Sequence, residues 1–223
     1  MKKINELYKI RFSNKDNEQK NKLWFILCNN YLQKYIPKNS VLLEIACGYG
    51  EFINNIKAKK KIAIDLNDDA KKYINNDVSF YNSSASVISL NNNSVDVCFS
   101  SNFFEHLPNK ETLDDVLQES FRVLKPGGVY ISIQPNIRYA PSLYWDYYDH
   151  IIPLSDKSCT EAFKKSGFII KKNIPKFLPW STEVNLPFKC LSLWIYLKLP
   201  FLWRFFGKQF LLIAQKPMKL KNV

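Results

Sequence analysis

Only two histidines, His106 and His150, occur in this chain of 223 residues. Two imidazoles leave little material for a metal site, and no His, Cys or carboxylate run has metal-ligand spacing, so no metal is expected. Paired cysteines are missing as well. Cys28, Cys47, Cys98, Cys159 and Cys190 lie far apart and form no C-x-x-C. An odd, scattered set argues against a disulfide framework or a zinc site and predicts reduced, mostly buried thiols in a cytoplasmic protein. The opening residues Met1 to Glu6 are polar and lead into no apolar stretch, so no signal peptide is expected. No apolar run is long enough to cross a membrane. The richest one, residues 186–206, is broken by Pro187, Lys189, Lys198, Pro200 and Arg204. No Gly-Pro period and no sustained heptad appear, which excludes collagen-like and coiled-coil chains. Acid is nearly absent from the tail: from Lys171 onward there are ten Lys/Arg and one acid, Glu183. That segment therefore carries +9 of the net +12, a property of one surface and not of the fold.

What is present suffices for a packed core. Hydrophobic residues make up 46% of the chain and charged ones 23%, which suits one domain, or a domain with an elaborated end. Residues 21–36 read as an amphipathic helix closed by Pro37. Strand and helix signals then alternate, with strands expected at 41–46, 61–65, 78–81, 95–100 and 129–133. Helices are expected at about 50–58, 68–76 and 110–124. In the last of these, Leu113, Val116, Leu117, Phe121 and Leu124 keep the spacing of a helix packed on a sheet, and Lys125-Pro126-Gly127-Gly128 stops it. A Tyr/Pro-rich loop follows to about residue 154, then a helix over 156–166 ended by Gly167. Two further strands are expected at 168–172 and 210–214, with an aromatic, basic insertion over 174–207 between them. Repeated βα units on this spacing predict an α/β fold: a doubly wound, seven-stranded, mostly parallel sheet. The whole chain, 1–223, reads as a single domain: a helical cap over 1–38, a ligand-binding core over 39–135, and acceptor-side elements over 136–223.

In such a sheet ligands bind beyond the carboxyl ends of the strands, at the switch point. The first strand ends in Glu44-Ile45-Ala46-Cys47-Gly48-Tyr49-Gly50. Its two glycines permit positive φ and close approach of a ligand to the backbone. Asp65 closes the second strand, where a carboxylate can accept hydrogen bonds from ribose hydroxyls. A dinucleotide site would also want a third glycine beneath its pyrophosphate. That position is Ile53, and the acidic Glu51 opens the following segment and would repel phosphate. A nucleoside without phosphates needs the tight turn and the ribose acid alone, which describes S-adenosylmethionine. Two turn glycines and a strand-end Asp can each be merely structural; their combination favours the nucleoside.

Several ordered motifs together resemble the class I methyltransferases. They are Glu44-x-Ala46-Cys47-Gly48-x-Gly50, Asp65, the run from Val95 to Leu107 (which holds Ser101-Asn102-Phe103-Phe104-Glu105-His106), and Arg122-Val-Leu-Lys-Pro-Gly-Gly128. The likeness covers about residues 40–135. It implies S-adenosyl-L-methionine as cofactor, with Glu44, Ala46, Cys47, Gly48 and Gly50 at its methionine part and Asp65 with Leu66 at the ribose. Ser101, Asn102 and Phe103 would then lie near the methionine end. Two positions depart from the family's pattern. Ala46 stands for the first glycine of the loop, and Ser84-Ala85 stands where an acid–Ala pair often meets the adenine amino group. Serine accepts a hydrogen bond there without a charge.

A sulfonium methyl is already activated, so catalysis is largely alignment of an in-line nucleophile in a site that excludes bulk water. An amine acceptor needs only to be neutral, whereas a hydroxyl benefits from a general base near pH 7. His150, in Tyr147-Tyr148-Asp149-His150 after the fifth strand, and His106 are the candidates; for each, a structural hydrogen bond is the competing use. Asp149 cannot orient His150 merely by adjacency, though Asp146 or another carboxylate can. Nucleic acid is disfavoured: the expected D/N/S-P-P-aromatic run of an exocyclic-amine methylase is replaced by Ser100-Ser101-Asn102-Phe103, and no Cys follows a proline. The aromatics of 193–206, interleaved with Lys198 and Arg204, suit an anionic membrane surface or a lipid-linked acceptor; a core cover or homodimer contact is the plainer reading. The run from Tyr147 to Gln209 also resembles, more loosely, bacterial methyltransferases of cell-surface glycan pathways. O-methylation of a small molecule or saccharide is the first expectation. N-methylation of an amino sugar or lipid-pathway substrate, and a methyltransferase-like binding protein without catalysis, are the alternatives.

Overall fold

The computed structural model of the chain describes residues 14–180 and 189–218. Glu183 and Pro187, and the polar opening residues Met1 to Glu6, lie outside the described residues. One sheet organises the rest: β1 (Val41–Ile45), β2 (Lys60–Asp65), β3 (Val78–Asn82), β4 (Val95–Ser101), β5 (Leu124–Pro135), β6 (Ile169–Leu178) and β7 (Gln209–Gln215). Their spatial order is β3-β2-β1-β4-β5-β7-β6. The first five strands run parallel, and β7 is antiparallel to both its neighbours. The helices are α1 (Asn14–Asn30), α2 (Lys110–Val123), α3 (Pro141–Tyr144), α4 (Asp156–Lys165), α5 (Lys189–Lys198) and α6 (Trp203–Phe206). This is the doubly wound, mostly parallel, seven-stranded architecture that the alternating pattern predicts.

The strands are apolar on both sides because both faces are covered. Alternate residues feed two clusters. Leu43 and Ile45 of β1, Tyr130 of β5 and Phe210, Leu212 and Ala214 of β7 meet Leu113, Val116 and Leu117 of α2 and Phe163 of α4. Leu42, Ile131, Ile133, Leu211 and Ile213 pack on the opposite side with Leu27 and Cys28 of α1, Phe52, Ile56, Tyr196 and Trp203. Phe52 stacks on Phe99 of β4 at 3.6 Å with Trp24 edge-on to both. Each such buried ring contributes roughly 1.5–3 kcal/mol relative to exposure. Helix starts follow local chemistry. The Asn109 side chain accepts from Thr112 N–H, and Ser155 and Ser158 form a reciprocal capping box.

Several boundaries differ from expectation for identifiable reasons. Helix α1 starts at Asn14 and is followed by a 3₁₀ turn, Leu32–Tyr35, before Pro37. Residues 50–58 form consecutive turns and no regular helix. There Asn54 donates to Tyr73 O and accepts from Asn75 N–H, while Asn55 donates to Glu51 O; such side chains compete with the helical ladder. The expected helix at 68–76 is a 3₁₀ segment, Asp68–Tyr73, opened by Asn67. Lys125 to Gly128 lies within β5 as an irregularity, where Gly127 has φ +81° and donates to Lys216 O at 2.9 Å. Strand β6 runs on to Leu178, shortening the expected insertion. Residues 189–206 of it fold as α5, a 3₁₀ turn and α6, packed through Tyr196, Leu197 and Trp203. Cys28, Cys47, Cys98 and Cys159 are buried and, like Cys190, unpaired. Among the described residues no helix is long and apolar enough to cross a membrane.

Candidate functional site

The chain leaves β1 outward through β2 and β3, then returns to lay β4 on the other side of β1. At such a switch point the connections leave neighbouring strands in opposite directions, and ligands bind in the crevice outside the strands' carboxyl ends. The turn after β1 lines it. Ala46 has φ +56°, Gly48 +54° and Gly50 +76°, so three of five residues are left-handed and the backbone bends sharply. The glycines serve different ends. A Cβ on Gly50 would meet Ile74 Cδ1 at 2.6 Å and Asn54 Nδ2 at 3.0 Å, whereas one on Gly48 would meet nothing within 4 Å. Gly50 is needed by the protein's own packing. Gly48 faces open space that an approaching ligand can use.

Two carboxylates brace this turn. Glu44 is 4% exposed and accepts from Ile53 N–H at 3.1 Å, tying the far end of the loop to its strand. Burial, reinforced by the charges of Glu51 and Asp65, pushes its carboxyl well above the usual range. Asp65 accepts from Gly48 N–H and from Asn67 N–H, each at 2.8 Å, and so joins the loop to the end of β2. Burial raises it, and these backbone bonds oppose the rise. A carboxylate has about four lone-pair sites; the N–H groups of Gly48, Asn67 and Leu66 take three, and one remains for a hydroxyl donor. Leu66 is half exposed beside it. Ser84 is committed locally, its hydroxyl bonding that of Ser86 at 2.8 Å, and Ala85 packs in the core. Cys47 is buried, and burial drives its thiol far up, which makes it an inert wall.

The facing wall comes from the end of β4. Ser101 leads into Asn102, which has φ +46° and donates its N–H to Ile133 O at 2.9 Å. Phe103 N–H donates to Oε1 of Gln134, a fully buried side chain whose amide nitrogen bonds Ser100 Oγ and Ser132 Oγ. Gln134 thus fixes the path of 101–104, a role that no spacing or motif in the sequence betrays.

Beyond this wall the structure joins residues that the sequence leaves apart. Glu105 and His106 sit on a 3₁₀ turn (Phe104–His106), and Ile151 and Ile152 both donate N–H groups to Glu105 O at 2.7 and 3.2 Å. The loop so pinned places His150 against His106, ring centroids 5.0 Å apart. One ligand-capable atom each of Glu105, His106 and His150 lies within 4.8 Å of the others. His106 Nδ1 faces the Asp149 carbonyl oxygen at 3.1 Å and its carboxylate at 3.3 Å, so Asp149 orients His106. Tyr147 stacks on His150, and Tyr144 and Trp180 pack against the same ring. Glu105 is 1% exposed, with Oε2 buried and making no hydrogen bond. Burial raises its carboxyl to about 7. Sequence spacing missed this carboxylate as a functional group; its only local signal is adjacency to His106. Two surface cavities of about 370 and 380 Å³ lie elsewhere, around Phe25 and Asn55, and involve none of these residues.

Residues 43–132 match the family model described as a methyltransferase domain. Over residues 43–132 the chain thus carries a methyltransferase domain, on the class I fold. No curated protein matches it. Solved structures share the methyltransferase fold. A SAM-dependent methyltransferase from Archaeoglobus fulgidus superposes with a TM-score of 0.66 at 21% identity, over 88% of this chain and 94% of that one. A chain of the Haloferax volcanii complex with the methyltransferase activator Trm112 gives 0.66 at 17% identity, over 93% and 95%. SAM-dependent methyltransferases from Methanosarcina mazei give 0.62 at 17%, over 84% and 97%. The matched segment spans the glycine turn, Asp65 and the β4 end, the three elements gathered at the carboxyl ends of the central strands.

Proposed function

We propose that this methyltransferase transfers the methyl group of S-adenosylmethionine to a hydroxyl of a saccharide or other small acceptor. The observation that carries this reading is the adjacency of two unlike sites on neighbouring strands: a nucleoside-sized turn after β1, and an imidazole–carboxylate cluster after β4. The open approach at Gly48 and the remaining lone pair of Asp65 fit a nucleoside. Glu44, Ala46, Cys47, Gly48 and Gly50 form the cradle, Asp65 with Leu66 takes the ribose, and Ser84-Ala85 flanks the base. Ser101, Asn102 and Phe103 close the methionine end. The cofactor supplies a methyl group on a positively charged sulfur, so the protein need only align and deprotonate the acceptor. The hydroxyl proton passes to the His106–His150 cluster, the oxygen's electron pair forms the new C–O bond, and the S–C pair stays on sulfur. Tyr147, Tyr144 and Trp180 exclude water there.

The whole chain acts as one unit, with residues 1–38 as a cap, 39–135 as the cofactor side and 136–223 as the acceptor side. The exposed Trp194, Phe201, Phe205 and Phe206, together with Lys198 and Arg204, support contact with an anionic membrane surface and hence a lipid-linked glycan acceptor. Calorimetric titration with S-adenosylmethionine tests the cofactor half of this reading: the native chain binds and Asp65→Ala binds at least about tenfold more weakly, a loss of about 1.4 kcal/mol. Unchanged affinity removes Asp65 from the site, and no binding by the native chain removes the enzyme. Transfer of radiolabelled methyl groups to a panel of saccharides and amino sugars decides between oxygen and nitrogen acceptors.

A further inference from the structure

We infer that Glu105, His106 and His150 form a binding site for one divalent transition-metal ion on the acceptor side of the crevice. Three observations converge. The donor set is two imidazoles and one carboxylate, each offering an atom within 4.8 Å of the others. That is a borderline N₂O set of the kind that suits zinc, iron(II) or cobalt(II) and leaves coordination positions open. Around an ion with bonds of about 2.0–2.1 Å, tetrahedral ligands stand about 3.4 Å apart. Closing the triad therefore asks each donor to move inward by at most about 0.8 Å, within reach of small side-chain rotations.

The second observation is Glu105 itself. A carboxylate 1% exposed, with Oε2 buried and making no hydrogen bond, is costly in a finished core. A cation is the partner that satisfies such an oxygen, and none of the hydrogen bonds described above supplies one. The third is how His106 is held. Its Nδ1 faces the Asp149 carbonyl oxygen and carboxylate, at 3.1 and 3.3 Å. That contact favours the proton on Nδ1 and leaves the Nε2 lone pair facing the Glu105 carboxylate, whose other oxygen, Oε1, lies 3.8 Å from Nε2. Ligating histidines are oriented by this type of outer contact. The backbone adds rigidity, because both N–H bonds from Ile151 and Ile152 end on Glu105 O and bind the two halves of the triad together.

The role of the ion rests on the acceptor reading given above; its binding does not. With the ion bound, both imidazoles would be ligands, so the imidazole proton route given above would apply only to the ion-free cluster. The ion would instead acidify an acceptor hydroxyl at an open position, whose proton would pass to water.

The test uses the full chain and cobalt(II), followed by calorimetry and by visible absorption. One ion binds per chain, with ligand-field bands and without the near-ultraviolet thiolate bands that any of the five cysteines would give. Glu105→Gln and His150→Ala each weaken cobalt affinity at least about tenfold, while S-adenosylmethionine affinity stays within about twofold of the native chain. Circular dichroism identifies a variant that fails to fold, and the other variant then decides. The proposal is overturned if the folded native chain takes up no cobalt while it binds S-adenosylmethionine. It is equally overturned if cobalt binds with unchanged affinity in both folded variants. Failure to bind S-adenosylmethionine with cobalt still bound leaves the ion site standing and removes the methyltransferase reading instead.

Discussion

Gly48 and Gly50 lie two residues apart in one turn, yet substitution by alanine should harm the protein in different ways. Both have left-handed φ, +54° and +76°, so each alanine carries about 1–2 kcal/mol of backbone strain. At Gly50 the new Cβ would also meet Ile74 Cδ1 at 2.6 Å and Asn54 Nδ2 at 3.0 Å. Both atoms are side-chain ends, so relief means turning Ile74 and drawing Asn54 from its bonds to Tyr73 O and Asn75 N–H, which costs about 0.5–1.5 kcal/mol more. Gly50→Ala should therefore lose about 1.5–3.5 kcal/mol, or roughly 5–10 °C in Tm for a chain of this length. At Gly48 a Cβ meets nothing within 4 Å, so only strain applies and the Tm falls by roughly 2–6 °C. Its methyl instead fills space that the cofactor's methionine end would use. S-adenosylmethionine affinity should fall at least about tenfold, or about 1.4 kcal/mol. Thermal melts and calorimetric titration of both variants separate the two effects. Wild-type affinity in Gly48→Ala would refute the cradle, and equal Tm losses in both variants would refute the contact reasoning.

Ala46 presents the reverse case, a non-glycine residue at φ +56°. Ala46→Gly should relieve strain and raise stability by up to about 1 kcal/mol, the unfolded chain's added freedom taking back part of the gain; a lower Tm would show that the turn does not strain alanine. Arg122 donates to both Glu119 oxygens, to Ile88 O and Leu90 O and to Asn92 Oδ1. Arg122→Ala should cost about 2–3 kcal/mol. Arg122 holds the Glu119 carboxyl below its ordinary value. The stability from this pair is thus fully present above about pH 4.3 and is lost as pH falls through the lowered folded value. Melts of Arg122→Ala across that window should show a shallower acid limb; an unchanged limb would remove the pair as its source. Sedimentation with anionic vesicles should recover the chain, and Phe205→Ser with Phe206→Ser should reduce that recovery. Equal recovery with neutral vesicles would rule out the charged surface.

Much of this fold was legible because its signals are local. Apolar runs such as 41–45 and 95–101 are strands because both faces of a parallel sheet are covered, and Asn109 and Ser155 mark helix starts through their own side chains. The glycine turn and Asp65 could be placed for the same reason, since a tight bend and a strand-end acid each leave a residue-level trace. Residues 50–58 depart from the expected helix because Asn54 spends its amide on Tyr73 and Asn75, and Asn55 on Asn21, partners that only the folded chain supplies. Gln134 left no trace at all, its purpose being a hydrogen bond to a strand end 31 residues away.

The order of residues by itself determined the sheet, the sharp turn after its first strand and the carboxylate that braces it, since each follows from local preference and burial period. Tertiary structure alone decided which histidine meets which acid. Asp149, beside His150 in sequence, serves His106, and Glu105 joins both because the 147–152 loop hangs its N–H groups on that residue's carbonyl. Spacing along a chain carries no information about such a meeting, which depends on where backbone hydrogen bonds close a loop in space.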